Sequence, residues 1–372
     1  MSSLSTAIDQ LFAQIRGRSF GMHELQSGLQ QIMLQATNAS REDLDAALQR
    51  LEELVSNLPL LPAALLAVGC GALIEQGGRI DEVAPAIFQR TYDALQLAAP
   101  FVRACQDAAR TRPTETSDPE DAELCVEAYG EQVGTQMPEE AQAWSALEML
   151  CNAALAILMH DARMRQVIGT YEPFTTALQA FPVQNSTIEC IRKLLQILEN
   201  EELIVLHPAL RRGYRVRISG LGDNFQLHTL LADALIGDTA QGWLPGNRPN
   251  PIVVAAAKDG PCPHTVEENR KFPIAQGVFN LWNWQGLQPD GTLPTGDTAS
   301  HYWIWNEGTP ADIATYEGTR VILLGPPPYN RTWSAGRYFP FIPGQLEVLE
   351  VLTQDRTKDW LARLAATPKP EA

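Results

Sequence analysis

The sequence predicts a segregated α+β fold, in which an all-helical N-terminal part precedes a β-rich C-terminal domain with one inserted helix. Three observations predict it. Apolar residues recur at helical spacing through most of the first 200 residues. Gly and Pro then become dense after residue 237, and short β-branched and aromatic runs alternate with turn residues. We therefore expect a helical domain at 1–200, a β-rich domain at 201–354, and a C-terminal helix and tail at 355–372.

Helices in the first 200 residues are marked by their caps and apolar stripes. Leu44 and Leu51 lie on one stripe that follows the capping residue Ser40. Segment 59–74 is apolar nearly all round, which indicates a helix in the centre of a bundle. It is too short and too interrupted by Pro and Gly to span a bilayer, and residues 1–20 lack the apolar core of a signal peptide. No membrane association is expected.

Charge is distributed unevenly along the chain, whose net charge is −16. Residues 1–200 contain 13 Lys and Arg against 26 Asp and Glu, whereas residues 201–372 contain 15 against 18. The acidic half repels phosphate backbones, which disfavours nucleic acid as a partner. Nine acidic residues and no basic one lie at 113–140. This composition indicates a solvated connection between two helical groups, with a docking surface for a basic partner as the alternative.

Six cysteines are scattered along the chain without the C-x-x-C or Cys/His spacing of a metal site. We therefore expect no metal and no other cofactor. Most of these cysteines fall in helical segments, where small thiols are commonly buried. Reduced cysteines are typical of the cytoplasm, which is the expected location.

A helix, a strand, a basic turn and a second strand follow one another at 187–219, which is the outline of a winged helix. Arg215 and Arg217 alternate with apolar residues in the second strand. A DNA-binding regulator is therefore one hypothesis, although the negative net charge opposes it. Arginines that dock the two domains are the simpler interpretation.

The β-rich part combines several strands with one helix. The helix is predicted near 224–236, with Asp223 or Asn224 as its N-cap. Period-2 and aromatic runs between turn residues predict strands at 252–257, 274–284, 301–306, 320–325 and 346–352.

A Trp-rich stretch at 277–333 holds five of the eight tryptophans. Its two motifs, W-N-W at 282–284 and W-I-W-N at 303–306, predict adjacent aromatic strands whose indole rings touch. The rings form either a hydrophobic core or an aromatic platform for a sugar, a base or an apolar ligand. The candidate ligand-binding residues are Trp282, Trp284, Trp303, Trp305 and Asn306.

Polar residues within and before this stretch are candidates for catalysis. His228 lies on the helix predicted near 224–236, from which its side chain can project into a cleft. An enzyme requires these side chains to converge on one pocket. The candidates are His228, His301, Glu307, Tyr329 and Arg331.

Three functional hypotheses follow. The leading one is a non-catalytic interaction or ligand-binding protein of the cytoplasm, whose helical half contacts a protein partner and whose Trp-rich half binds a small ligand or docks. The second is an enzyme of unfamiliar type with a polar site in the cleft between the halves. The third is a winged-helix-like regulator at 187–219. Convergence of the candidate polar residues favours the second, and an exposed ridge of arginines favours the third.

Overall fold

The computed structural model describes residues 2–17, 21–112, 118–182, 186–263, 265–297 and 299–366 of the chain. The chain divides into two compact units, Met1–Leu195 and Gln196–Ala372. The described part of the first unit is helical, and all described strands belong to the second. The predicted α+β fold class is therefore confirmed.

The first unit is a bundle of helices around an apolar core. Ten α-helices lie in its described part: α1 (Ser3–Ile15), α2 (Met22–Ala36), α3 (Arg41–Asn57), α4 (Leu60–Glu75), α5 (Ala84–Thr111), α6 (Ala122–Gly134), α7 (Pro138–His160), α8 (Ala162–Gly169), α9 (Glu172–Ala180) and α10 (Ser186–Leu195). As predicted for segment 59–74, α4 is central and packs against α7. A Cβ added at Gly71 of α4 would lie 3.4 Å from the Ala156 Cβ of α7, so small residues set this close packing.

Helix α7 is the one described helix that is long and apolar enough to cross a membrane, judged by length and composition alone. In the bundle it packs against α4 and α5. Ala143, Leu150 and Ala154 are fully buried there. These contacts are those of the core helix of a bundle.

The acidic segment expected to be a connection at 113–140 is largely helical, and its residues 113–117 lie outside the described part of the chain. Helix α6 begins after Asp121, whose side chain accepts hydrogen bonds from two backbone N–H groups of the first turn. Cys125 and Tyr129 lie on one face and are buried where α6 packs on α5. The sequence prediction missed this helix because its apolar stripe is short and the segment is rich in acidic residues. Most of these acidic side chains lie on the opposite, solvated face.

The second unit is built on a twisted mixed sheet. Its described strands are β1 (Glu201–His207), β2 (Arg212–Ser219), β3 (Ile274–Gln276), β4 (Asn280–Asn283), β5 (Thr315–Tyr316), β6 (Thr319–Gly325), β7 (Thr332–Ser334) and β8 (Gln345–Val351). Six of these strands form one sheet in the order β4-β6-β1-β2-β8, with β5 paired to β6, while β3 and β7 pair separately. Only β1 and β6 run parallel within the main sheet.

Both faces of this sheet are covered. Its described helices are α11 (Asn224–Leu235), α12 (Pro251–Lys258), α13 (Val266–Lys271) and α14 (Gln354–Ala366). Leu203 and Val205 of β1 pack towards α11 and α12, whereas Ile204 and Leu206 pack on the opposite face with Leu364 of α14. Strand β1 is therefore apolar on consecutive residues, as expected for a strand buried on both faces.

Two strand predictions were wrong, and the predicted strand 274–284 divides into β3 and β4, which belong to different sheets. The unit also has more helices than the one inserted helix predicted. Segment 252–257 is helix α12, because the Asn250 side chain caps its N-terminus and Pro251 occupies the first turn. Segment 301–306 begins inside a 3₁₀ helix (Ala299–Tyr302) and contributes a single β-bridge, from Trp303 to Trp282. The predicted contact between these indole rings is present, at 5.7 Å between centroids.

The hairpin predicted as a wing is part of the sheet interior. Strand β1 lies between β6 and β2, and β2 lies between β1 and β8, so neither strand is free at an edge. Arg215 and Arg217 both donate to Glu202 at 2.9 Å and also pair with Glu350 and Glu347 of β8, at 3.6 Å. The arginines are thus neutralised by carboxylates of their own sheet, which gives no support to a basic DNA-binding ridge.

Candidate functional site

A small cavity lies in the second unit where α11 meets β4, the loop after Tyr302 and the segment after β6. Its volume is about 30 Å³, which is enough for at least one water molecule. The six lining residues that matter most for its chemistry are His228, Phe279, Trp303, Asn306, Tyr329 and Arg331.

The loop that carries Trp305 and Asn306 is held by the N-terminus of α11. Backbone N–H groups of Asn224 and Phe225 donate to the carbonyl oxygens of Gly308 (2.9 Å) and Asn306 (3.2 Å). The Asn224 side chain also donates to the Trp305 carbonyl oxygen at 2.9 Å. Donors that a helix terminus leaves without intrahelical partners are therefore used to fix the loop. Helix and loop form one rigid wall.

His228 lies one turn into α11 and is the most buried polar residue of the cavity, at 4% exposure. Its ring stacks on Phe279, with 4.7 Å between centroids, and is tilted against Trp333 at 5.0 Å. Burial, reinforced by the positive charge of Arg331, lowers the pKa of His228 from 6.5 to about 3. The imidazole is therefore neutral at physiological pH.

Three nitrogen atoms of the lining are buried without a hydrogen-bond partner among the described residues. They are Nε2 of His228, Nδ2 of Asn306 and Nε1 of Trp303. Buried polar groups are nearly always paired, and each unpaired one costs about 1–3 kcal/mol. All three belong to residues that line the cavity.

The mouth of the cavity combines aromatic rings with an ion pair. Trp305 and Tyr329 are each half exposed and lie 5.8 and 6.0 Å, centroid to centroid, from the more buried Trp303. Arg331 forms an ion pair with Glu307, whose side chain is 62% exposed against 27% for the arginine. A pair this open to solvent contributes at most about 1 kcal/mol, so it can be broken at little cost.

Six of the ten residues singled out from the sequence line this one cavity: His228, Trp303, Trp305, Asn306, Tyr329 and Arg331. Glu307 lies at its mouth through its ion pair with Arg331. His301 is exposed in the 3₁₀ helix and does not line the cavity. Trp282 packs on the opposite face of the sheet, because Leu281, its neighbour in β4, takes the position facing α11. Trp284, just after β4, packs against the same cluster, and so does one side of Trp303.

Sequence reasoning missed Phe279 and the loop-fixing role of Asn224. Phe279 precedes β4 and stacks on His228, a contact between positions 51 residues apart that no local pattern indicates. Asn224 was a candidate N-cap, but the Asp223 side chain caps the helix and the Asn224 amide instead binds the loop. The signal available in the sequence was the succession of two polar residues, Asp223 and Asn224, before an apolar helix.

The first unit has a larger and more apolar groove between α2 and α4. Its volume is about 820 Å³, and Leu34 beside it is 64% exposed. Its lining lacks charged side chains among the described residues, so it offers apolar contact rather than chemistry. The cavity of the second unit, by contrast, brings polar and aromatic side chains together.

Comparison of the chain with protein-family models, with curated proteins and with solved structures finds no match.

Proposed function

We propose that this protein is a non-catalytic ligand-binding protein whose C-terminal unit binds a small molecule with a planar apolar body and a hydrogen-bond acceptor at one end. One observation carries the proposal. Three residues that line one cavity, His228, Trp303 and Asn306, each carry a buried side-chain nitrogen without a hydrogen-bond partner among the described residues. A ligand oxygen that accepts from the Trp303 indole N–H and the Asn306 amide would remove the cost of leaving these buried donors unpaired.

The dimensions of the cavity support a ligand with two parts, a hydrogen-bond acceptor (the head) and a planar apolar body. The interior, at about 30 Å³, admits one small polar group and no ring. The half-exposed rings of Trp305 and Tyr329 flank the mouth and provide surfaces on which a planar body can stack. The head is therefore bound inside, and the body rests on the aromatic rim.

Binding is favoured over catalysis by the state of His228. A general base works best when its pKa lies near the working pH, and the pKa of His228 is lowered to about 3. At neutral pH such an imidazole accepts and donates hydrogen bonds but is a weak base. The enzyme hypothesis is accordingly the second candidate, supported by the convergence of three of its residues, His228, Tyr329 and Arg331, on the cavity.

We also propose the cytoplasm as the location and a protein partner for the helical unit. All six cysteines are free thiols, which supports a reducing compartment. The apolar groove between α2 and α4 supports a partner for this unit.

Binding to the cavity can be measured by calorimetry with two pairs of probes, benzoate with benzamide and indole-3-acetate with indole-3-acetamide. Each probe has a planar body and an oxygen acceptor, and we expect at least one to bind and to raise the melting temperature. Trp303→Phe keeps an aromatic ring but removes the indole N–H, so it should weaken binding by about tenfold, the value of one hydrogen bond.

Trp284→Phe is the matched control. It also removes an indole N–H that has no partner among the described residues, but Trp284 lies off the cavity, near Tyr316 at 6.2 Å between centroids. The Trp284→Phe variant should bind the probes with the same affinity as the unaltered protein. Equal losses in both variants, or no binding of any probe, would contradict the proposal.

A further inference from the structure

We infer that the ligand's head is a carboxylate, which binds Arg331 in exchange for Glu307. The inference rests on the proposed function and adds two points to it. These are the charge of the ligand's head and the displacement of Glu307 from Arg331 when the ligand binds. In the ligand-free protein, the Glu307 carboxylate occupies the position on Arg331 that the ligand carboxylate takes on binding.

Arg331 is held in place by contacts that do not involve Glu307. Its carbonyl oxygen accepts a hydrogen bond from the Gly277 N–H at 2.7 Å, which ties it to the residues before β4. Its guanidinium group lies over the ring of Phe225 on α11, 5.4 Å from the centroid. Loss of Glu307 from the pair would therefore leave the guanidinium group positioned beside the cavity.

The guanidinium group of Arg331 has N–H donors that its contact with Glu307 does not use. Arginine carries five N–H donors in a fork that matches the two oxygens of a carboxylate. Glu307 is its one hydrogen-bonded side-chain partner among the described residues, through a single Nη2 to Oε1 contact. A ligand carboxylate would use two of these donors by binding Arg331 in the bidentate mode.

The Glu307 carboxylate can separate from Arg331 without disturbing the loop. Its side chain is 62% exposed, so its carboxylate can return to water without crossing packed structure. The backbone on either side is fixed, because the carbonyl oxygens of Asn306 and Gly308 accept from the first N–H groups of α11. The side chain can therefore move away while the loop and its Asn306 keep their positions.

The sign of the charge follows from the lining. The rings of Trp305 and Tyr329 at the mouth would also suit a quaternary ammonium group. Arg331, however, is the one residue with a full charge among the described residues that line the cavity. Its positive potential reaches the interior, where it contributes to the lowered pKa of His228. This potential opposes a cation and attracts an anion.

The test compares each carboxylate with its uncharged amide on the full chain by calorimetry. We expect benzoate to bind about tenfold tighter than benzamide, and indole-3-acetate likewise tighter than its amide, as charge-assisted hydrogen bonds are stronger than neutral ones. Arg331→Gln should abolish this preference. Glu307→Gln should tighten the binding of the carboxylates several-fold, because the internal competitor for Arg331 is removed.

Glu347→Gln controls for the change in net charge. Glu347 is 67% exposed and pairs with Arg217 on the sheet, away from the cavity, so its removal should not tighten carboxylate binding. If amides and carboxylates bind alike and Glu307→Gln has no effect, the inference is wrong and the proposed function stands. Preferential binding of tetramethylammonium would overturn the inference in favour of a cation site. If no probe binds, the proposed function fails and the inference with it.

Discussion

His228 shows how one buried side chain links the cavity to the stability of the protein. Its ring is enclosed by Phe279 and Trp333, and Trp333 donates to the Thr229 hydroxyl of the same helix at 3.3 Å. Protonation would place a positive charge in this apolar setting, close to Arg331. The lowered pKa is thus a consequence of the packing that forms the cavity.

Acid should therefore destabilise the second unit through His228. The pKa is about 6.5 when the chain is unfolded and about 3 when it is folded, so below pH 6.5 the unfolded state binds a proton that the folded state rejects. Stability contributed by this residue is complete above pH 6.5 and falls by about 1.4 kcal/mol for each pH unit down to about 3. Between pH 7 and pH 5 the expected loss is about 2 kcal/mol.

Urea unfolding followed by tryptophan fluorescence measures this loss, since seven of the eight tryptophans lie in the second unit. His228→Phe keeps a ring between Phe279 and Trp333 and removes the titrating group. Its stability should fall less between pH 7 and pH 5 than that of the unaltered protein. Equal losses in the two proteins would show that His228 is not the group responsible.

At the scale of elements, the turn from β2 into α11 decides where the helix lies on the sheet. Gly220 has a positive φ of 71°, and a Cβ built there would lie 2.2 Å from the carbonyl oxygen of Pro343. Its own N–H donates to the Leu198 carbonyl oxygen at 3.2 Å. The chain therefore turns against the segment before β8 at a distance that only glycine permits.

Gly220→Ala should destabilise the second unit by roughly 3 kcal/mol, because it adds a backbone clash to an unfavourable φ. Gly318→Ala is the matched control, since Gly318 also has a positive φ, of 79°, but its added Cβ would meet nothing within 4 Å. It should cost about 1 kcal/mol from φ alone. Urea unfolding monitored by fluorescence compares the two. Similar losses would mean that the close approach at Gly220 relaxes without cost.

Helix α12 illustrates why element types were only partly predictable. Ile252, Val253 and Val254 have high β propensity, and this run led to the strand prediction. The cap at Asn250, the Pro in the first turn and the following alanines favour a helix, and packing of Val254 and Ala257 with α11 selects it. Tertiary contacts outweighed a weak local preference.

At the scale of the whole molecule, each unit has an apolar core of its own. In the second unit that core lies on both faces of the main sheet, with the cavity at the edge of the α11 face. In the first it lies among α4, α5 and α7. Units with separate cores are expected to fold separately.

Fragments ending at Leu195 and beginning at Gln196 should therefore each unfold in a single cooperative transition, measured by circular dichroism during heating. The cut falls before Leu198, which packs against the core of the second unit and accepts the hydrogen bond from Gly220. A fragment without a cooperative transition would show that its core is incomplete without the other half. The second fragment should also bind the probes with unchanged affinity.

The sequence by itself determined the fold class, the buried helix α4, helix α11 and strands such as β6, because helical or strand periodicity and capping residues are local properties. It also singled out six residues of the cavity lining. Only the tertiary structure decided that these six meet while His301, Trp282 and Trp284 do not. The face that a side chain takes depends on strand register and on contacts between distant segments, such as His228 with Phe279. Those contacts are formed by packing, which spacing along the chain does not encode.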